Sequence, residues 1–319
     1  MARRKRKSSA VPLIVVIVCL LILIAFLSFG SQGTFLENLG DIWNNTINYG
    51  NAQQNVSQLV TQEDAQTALI LYVMDTGNSD SMVLHTPDGH AVLVDAAEND
   101  DANQILETLK ALGISKLDAA VATHPDADHI GSMDDVLLGI PVDTLYRTSK
   151  TAATKTYDNM VRAAEDEQTP VVYVTAGDTF TVGGIDFTVL NPQDKTYDDT
   201  NNSSIVLLVR YGNTSFLLSG DAEEEAIADM LSTFAPEMDI DVLKIGHHGS
   251  HNGTTEELLE ATTPELAIIT CGEDNDYGHP HKETLELLQE DRVTTLRTDQ
   301  QGDIAVFSDG NDVTYKTAA

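Results

Sequence analysis

The loop that follows one apolar run carries the residues that most restrict what this chain can fold into. Residues 121–132 read VATHPDADHIGS, so His124, Asp126, Asp128 and His129 fall within six positions. Imidazole and carboxylate are the ligands of zinc and, with more carboxylate, of manganese or iron. A solvated acidic loop is the competing interpretation, and the loop alone does not decide between the two.

Three further segments place histidine or carboxylate where an apolar strand is predicted to end. Asp221 follows FLLSG, His247 and His248 follow DVLKIG, and His279 and His281 lie in DYGHPHKET. A lone carboxylate at such a position is usually the N-cap of the next helix. Since sites in layered α/β folds collect at strand ends, the four segments together predict a metal site.

Strand-like and helix-like segments alternate along the chain beyond residue 66. Runs rich in β-branched residues predict strands in ALILYVMD, HAVLVDA, LDAAVAT, PVVYVT, ELAIITCG and several hairpins, the last over Asp309-Gly310. Helical spacing of apolar residues predicts helices over 102–113, 154–168, 222–233, 254–262 and 282–290. This mixture predicts an α/β protein with two sheets and helices outside them. The absence of G-x-S-x-G, Walker and G-x-G-x-x-G patterns disfavours serine hydrolases, NTPases and dinucleotide-binding proteins.

An uncharged, mostly apolar stretch, residues 11–29, follows five basic residues at the N-terminus. Its length is enough to cross a hydrocarbon core, and the basic cluster predicts a cytoplasmic N-terminus with the rest of the chain outside. A cleaved signal peptide is the competing interpretation, but FLSFGSQG is a poor cleavage site. We therefore predict a single-pass anchor in the cell membrane.

Composition divides the chain into three predicted parts. Residues 1–30 are the basic cytoplasmic tail and transmembrane anchor, and residues 31–65 are a polar stalk with some helix over 36–47. Residues 66–319 contain the regular pattern and every candidate ligand. The sequence makes no prediction of the oligomeric state.

The charge of the chain limits which partners it can bind. The chain has 18 Lys and Arg against 50 Asp and Glu, a formal charge of −32, and without the five N-terminal basic residues the remainder carries −37 (−32 − 5). Such a surface repels polyanions at long range. A DNA-cleaving function therefore needs a local centre that holds a phosphate, which a metal site would provide.

THPDADHIGS resembles the H-x-[HD]-x-D-H signature of metallo-β-lactamase-fold hydrolases, and the aspartate at position 126 resembles the ComEC/Rec2-like competence-protein branch. VMDTGNSDSMVLHTPDGHAVLVDA, NNSSIVLLVRYGNTSFLLSGDAE, LKIGHHGS, YGHPHKETLELL and LRTDQQGDI are similar to that branch in the same order. The resemblance covers roughly residues 69–310. It implies a four-layer αββα sandwich with a site for two divalent metal ions, zinc or manganese, along one edge of the sheets.

The resemblance also implies roles for individual residues. One metal would be held by His124 and Asp126, and Asp221 would bridge the two ions. The second metal would be held by Asp128, His129 and His247. His247 comes first after its strand and is preferred to His248, although the sequence separates the two poorly.

Further residues are implied near the reacting group. Asp128 would also orient the attacking water, and His279 at the rim would contact substrate or give a proton to the leaving group. His248 and Asn202 are weaker candidates for supporting or substrate-contacting roles. The sequence departs from the branch in two places: TNNSS stands where a further histidine ligand is usual, and DTGNSDS replaces the usual glutamine-glycine of the opening loop.

Three functions remain open from the sequence. The first is a membrane-anchored, extracytoplasmic metal-dependent phosphodiesterase or nuclease whose substrate is DNA or another phosphodiester. The second is an esterase that removes phosphorylcholine from a wall polymer, which would need an aromatic cage for the choline cation. The third is a non-enzymatic domain that binds metal at the cell surface.

Overall fold

Two β-sheets pack face to face in the computed structural model, which describes residues 52–319. The strands are β1 Leu69–Val73, β2 Met82–His85, β3 Ala91–Val94, β4 Ala119–Ala122, β5 Leu145–Arg147, β6 Val171–Tyr173, β7 Thr179–Val182, β8 Ile185–Asn191, β9 Val206–Tyr211, β10 Thr214–Leu218, β11 Val242–Lys244, β12 Leu266–Ile269, β13 Thr294–Arg297, β14 Ile304–Ser308 and β15 Val313–Thr317. The first sheet has the order β15-β14-β1-β2-β3-β4-β5-β6, and the second has the order β13-β12-β11-β10-β9-β8-β7.

Helices cover the outer face of each sheet. They are α1 (52–59), α2 Gln62–Thr67, α3 Ala102–Ala111, α4 Ala127–Ile130, α5 Met133–Gly139, α6 Lys155–Asp166, α7 Glu224–Phe234, α8 Glu256–Thr262, α9 Lys282–Glu290 and α10 Thr298–Gln301. Helices α3, α5 and α6 pack on the first sheet, and α7, α8 and α9 pack on the second. The predicted sandwich of two sheets between helices is confirmed, as are the five predicted helices to within a few residues.

Strand β1 shows why the sheets form with both faces buried. Leu69, Leu71 and Val73 point into the core between the sheets, whereas Ile70 and Tyr72 point toward the helices. Successive side chains of a strand alternate between faces, so a strand with two buried faces needs a continuous apolar run. LILYV meets this requirement, and all five residues are buried.

Parallel pairing of the strands places the candidate ligands at one edge of the sandwich. Strands β3, β4 and β5 run parallel in the first sheet, and β10, β11, β12 and β13 run parallel in the second. The carboxyl ends of parallel strands meet at the same edge. The loops after β4, β10 and β11 therefore bring their polar residues to a common place.

The start of the described chain packs against its end. Val56 and Leu59 of α1 are buried in the core of the first sheet. The side chain of Gln58 donates to the backbone oxygen of Ala318 at 3.0 Å, and Lys316 Nζ pairs with Asp64 at 2.5 Å. The described part of the predicted stalk is thus helical and packs on the sandwich.

Within residues 52–319, no helix is both long and apolar enough to cross a membrane. The predicted anchor at 11–29 and the predicted helix over 36–47 lie outside the described residues.

Candidate metal centre

The loop after β4 is positioned by a short helix that begins inside the motif. Asp126 has extended dihedrals and is the N-cap of α4, which contains Asp128 and His129 in its single turn. His124 lies between the end of β4 and this cap. Both histidine side chains are fully buried, and their ring centroids are 4.1 Å apart.

His129 lies between two buried carboxylates. Its Nδ1 is 2.7 Å from Oδ2 of Asp95, and its Nε2 is 3.1 Å from Oδ1 of Asp221. Asp95 also accepts hydrogen bonds from the backbone N–H and the hydroxyl of Thr123, at 2.8 and 2.7 Å. Because Asp95 accepts the Nδ1 proton, Nε2 of His129 is directed at Asp221.

His248 is oriented in the same way from the second sheet. Its Nδ1 donates to the backbone oxygen of Thr270 at 3.0 Å. Its Nε2 then faces Oδ2 of Asp128 at 3.4 Å and Oδ2 of Asp221 at 3.6 Å. Two carboxylate oxygens around an imidazole lone pair repel it unless a proton or a cation lies between them.

Four residues converge closely enough to hold one ion. Ligand atoms of Asp128, His129, Asp221 and His248 all lie within 4.8 Å of one another. Four buried atoms at the centre have no hydrogen-bond partner, namely Nε2 of His124, His129 and His248 and Oδ1 of Asp221. Buried polar atoms are normally satisfied, so this set fits metal ligands whose bonds go to a cation.

The pKa values show which charge the centre favours. Burial lowers the pKa of His129, but the carboxylates of Asp221 and Asp95 outweigh it and raise that pKa well above its usual range. Burial raises the pKa of Asp128, but the adjacent Nε2 of His248 and the charge of His129 lower it to about 2. Burial and the neighbouring His129 lower the pKa of His124 to about 3. The centre therefore holds ionised carboxylates that attract positive charge, beside a neutral imidazole.

The sequence comparisons agree with this arrangement. The metallo-beta-lactamase superfamily profile matches residues 74–273, more than half of the chain. The chain belongs to the metallo-β-lactamase superfamily. With its cluster of candidate metal ligands, it is a hydrolase of that superfamily.

The curated relatives of this superfamily member include a competence protein and a recombination protein. ComE operon protein 3 of Bacillus subtilis is 38% identical over 200 residues, covering 63% of this chain and 26% of the relative. Competence protein ComA of Neisseria gonorrhoeae is 27% identical over 72% of this chain and 31% of its own length. Recombination protein 2 of Haemophilus influenzae is 32% identical over 64% of this chain and 24% of its own length. The chain thus spans about a quarter to a third of the relatives that it matches.

Within this superfamily fold, the geometry favours His248 over His247 as a ligand, contrary to the sequence-based preference. His247 and His248 both have positive φ, and the turn sends their side chains in different directions. Nδ1 of His247 faces Oε1 of Glu223 at 3.0 Å, and its Nε2 is 3.9 Å from Asp221. His248 is buried within the ligand cluster, whereas His247 lies at its rim.

His124 and Asp126 lie next to the four-residue cluster but are not part of it. Nδ1 of His124 is within hydrogen-bonding distance of the hydroxyls of Thr123 and Ser204, at 3.2 and 3.3 Å. Its Nε2 therefore faces the centre, 3.8 Å from Oδ2 of Asp126. The side chain of Asp126 is 44% exposed and lies outside the four-residue group. This pair can hold a second ion only with further ligands, such as water.

His279 and Asn202, both proposed from the sequence, have different surroundings. The ring of His279 lies 5.3 Å from that of His247, and the side chain of Asn275 binds both its backbone N–H and its carbonyl. Burial and the nearby histidines lower the pKa of His279 to about 4. Oδ1 of Asn202 accepts from the backbone N–H groups of Glu223 and Ala226 at the start of α7. Asn202 thus caps that helix and does not face the centre.

Three further residues support the centre and were not identified from the sequence. Asp95 fixes His129, as described above. Asp80 contacts Lys244 at 2.9 Å, accepts a hydrogen bond from the Thr270 hydroxyl, and lies 3.5 Å from Nδ1 of His248. Asp95 follows an apolar strand, which is the pattern that identified Asp221, so the sequence could have indicated it. Lys244 lies within an apolar run, and no sequence pattern marks it as part of the site.

Proposed function

We propose that this chain is a metal-dependent phosphodiesterase of the nuclease type that acts outside the cell membrane. The observation that carries the proposal is the meeting of imidazole nitrogens with ionised carboxylates. Nε2 of His129 and Nε2 of His248 both face oxygens of Asp221, at 3.1 and 3.6 Å. A divalent cation bound there would let an acidic protein hold a phosphodiester.

The proposed ligands form two sets around one carboxylate. His124 and Asp126 would hold one divalent ion. Asp128, His129 and His248 would hold the second, and Asp221 lies between the two sets. Histidine and carboxylate ligands suit either zinc or manganese.

Bound divalent cations at this site would polarise a phosphoryl oxygen and lower the pKa of a water molecule to about 7. Asp128 is the carboxylate of the four-residue cluster that is open to solvent, with 29% of its side chain exposed against 3% for Asp221. It can therefore accept a hydrogen bond from the attacking water and orient it. His279 is neutral at pH 7, since its pKa is about 4, and this favours a hydrogen bond to the substrate over proton donation.

Location and substrate are inferred from two separate observations. The basic cluster before residues 11–29 supports a membrane anchor with the catalytic domain outside. The names of the relatives refer to competence and recombination, which concern DNA, and this favours a nucleic-acid substrate.

The test uses the full-length chain in detergent micelles with three substrates side by side. These are bis-p-nitrophenyl phosphate, single-stranded DNA and p-nitrophenyl phosphorylcholine, each with Mn²⁺, Zn²⁺ or EDTA. We expect phosphodiester and DNA cleavage that EDTA abolishes and that Asp128→Ala lowers by at least about 100-fold. Asp135→Ala, an exposed carboxylate on α5, is the matched control and should retain activity.

The other outcomes separate the remaining functions. Turnover of the phosphorylcholine ester without DNA cleavage would favour the wall-polymer esterase. Tyr277 stacks on His279 with ring centroids 5.6 Å apart and would then be one wall of the choline site. Stoichiometric metal binding with no turnover of any substrate would favour a metal-binding domain without catalysis.

A further inference from the structure

The segment between β5 and α6 is locally basic in a strongly acidic chain. Residues 144–157 contain Arg147, Lys150 and Lys155 but no Asp or Glu, whereas the chain as a whole carries −32. β5 runs parallel to β4, and the register places Arg147 opposite the residue two positions before His124. The basic segment therefore leaves the sheet at the same edge as the metal loop.

Arg147 supports this loop without pairing with an acid. Its side chain is buried, with the residue 4% exposed, and Nε and Nη2 donate to backbone oxygens of its own loop at 3.2 and 3.3 Å. Nη2 also donates to the hydroxyl of Tyr157. Among residues 52–319, no carboxylate oxygen lies within 4.0 Å of the charged nitrogens of Arg147 or Lys150. Positive charge thus stays uncompensated at the edge of the metal centre.

A cleft of about 480 Å³ lies beside the loop. It is lined by Thr148, Ser149, Thr175 and Ser203, by Lys150 and Lys195, and by one acid, Asp194.

The two lysines of the cleft differ in whether they pair with a carboxylate. Nζ of Lys150 donates to the backbone oxygen of Tyr197 at 2.8 Å, which leaves two of its three donors for an anion. Lys195 is instead paired with Glu225 and Asp229. Lys150 is therefore the residue of the cleft best able to bind a phosphate.

The cleft adjoins the candidate metal centre. Ser203 precedes Ser204, whose hydroxyl lies 3.3 Å from Nδ1 of His124. A narrow crevice nearby is lined by both His124 and Lys150. A polymeric substrate that crosses the metal centre can therefore continue into the cleft.

An exposed aromatic ring stands at the same end of the sheet. Tyr173 on the edge strand β6 is 61% exposed, and its ring centroid is 5.3 Å from the guanidinium carbon of Arg147. Proteins that bind single-stranded nucleic acid combine a positive groove for the backbone with aromatic side chains on which bases stack.

We propose that this cleft binds the single-stranded nucleic acid that flanks the scissile phosphate, with Lys150 contacting a backbone phosphate and Tyr173 stacking on a base. The inference rests on the proposed nuclease function and adds the strand-binding subsite to it. Arg147 is a positioning residue, since it holds the loop that presents Lys150.

The experiment separates strand binding from catalysis. Binding of a fluorescein-labelled oligothymidylate is followed by anisotropy on the full-length chain in detergent, in an Asp128→Ala background with Mn²⁺ so that no cleavage occurs. Lys150→Gln should reduce the slope of log affinity against log salt by about 0.7, the value for one lost phosphate contact on a single strand. Tyr173→Leu should weaken binding by about tenfold with little change in that slope.

Each variant has a matched control. Lys116→Gln removes an exposed lysine just before β4, at the opposite end of the sheet, where it pairs with Asp143. Tyr315→Leu removes a tyrosine, 46% exposed, from β15, the other edge strand of the same sheet. Neither control should change the affinity by more than about twofold, because each lies away from the cleft.

The outcomes distinguish this inference from the proposed function. The inference is wrong if the cleft variants and their controls change the affinity for oligothymidylate equally, or if none of the four changes it. This holds even if the wild-type chain cleaves DNA. A loss of affinity in the cleft variants alone would support the inference even if no phosphodiester is cleaved.

Discussion

Asp80 and Lys244 form a fully buried ion pair, 2.9 Å between Oδ2 and Nζ, that joins the two sheets directly behind His248. Asp80 comes from the loop between β1 and β2, and Lys244 ends β11. Burial raises the pKa of Asp80, but the charge of Lys244 outweighs it and the pKa is lowered. Asp80 therefore stays ionised inside the protein, and it fixes the histidine that lies in front of it.

Removing one member of this pair should be costly. Asp80→Asn leaves Lys244 buried without a counter-charge, and we expect the free energy of unfolding to fall by about 3–5 kcal/mol. The double variant Asp80→Asn/Lys244→Met should lose less than the sum of the single variants, because neither charge remains unpaired. Urea unfolding of the full-length chain measures all three. Additive losses would show that the two residues act independently.

The carboxylate behind His129 should control metal affinity. Asp95→Asn cannot hold the Nδ1 proton as strongly, so the Nε2 ligand becomes less basic and less well oriented. We expect metal affinity to fall by about 10–100-fold. Competition with a chelating dye measures it. Asp118→Asn is the control, since Asp118 contacts His90 at 3.1 Å away from the cluster, and an equal loss there would contradict the role of Asp95.

The two adjacent histidines should differ in metal content. His248→Ala removes an atom of the four-residue cluster, whereas His247→Ala removes a side chain that faces Glu223 at the rim. We expect the His248 variant to lose about one metal equivalent after dialysis and the His247 variant to retain both ions. Mass spectrometry of the metal content reports this directly. The opposite result would restore the preference for His247 that the sequence suggested.

Cys271 offers a test of pH dependence at a residue outside the ligand cluster. Burial, with a contribution from Asp299, raises the pKa of its thiol to about 12, above the value of about 9 for an exposed thiol. Above pH 9 the unfolded chain loses this proton while the folded chain keeps it, so stability falls as pH rises. We expect a loss of up to about 1 kcal/mol per pH unit in a Cys19→Ala background. Adding Cys271→Ala should remove this part of the slope, and an unchanged slope would refute the assignment.

The sequence predicted the layers and the metal loop because both depend on local patterns. It did not predict β2, Met82–His85, because this run of four residues is short and lies just before the Asp88-Gly89 turn signal. Strand β13, Thr294–Arg297, was also missed, since it is a half-exposed edge strand without a continuous apolar run.

The supporting residues of the centre depend on register, which one sequence does not display. Asp95 reaches His129 because β3 pairs in parallel with β4, so that the end of β3 lies beside Thr123. The choice between His247 and His248 depends on two successive residues with positive φ, and spacing cannot reveal this. Asn202 was a weaker supporting or substrate-contacting candidate from the family resemblance, and its side chain caps α7.

The contacts between α1 and the last strand have a consequence for how this domain is combined with other domains. Gln58 and Asp64 bind Ala318 and Lys316, so the polypeptide enters and leaves the sandwich on one side. A domain whose ends are neighbours can be appended to a longer chain, or inserted within one, without a linker that spans its body. Such a domain is a portable unit for gene fusion, and the relatives matched here are proteins three to four times the length of the matched region.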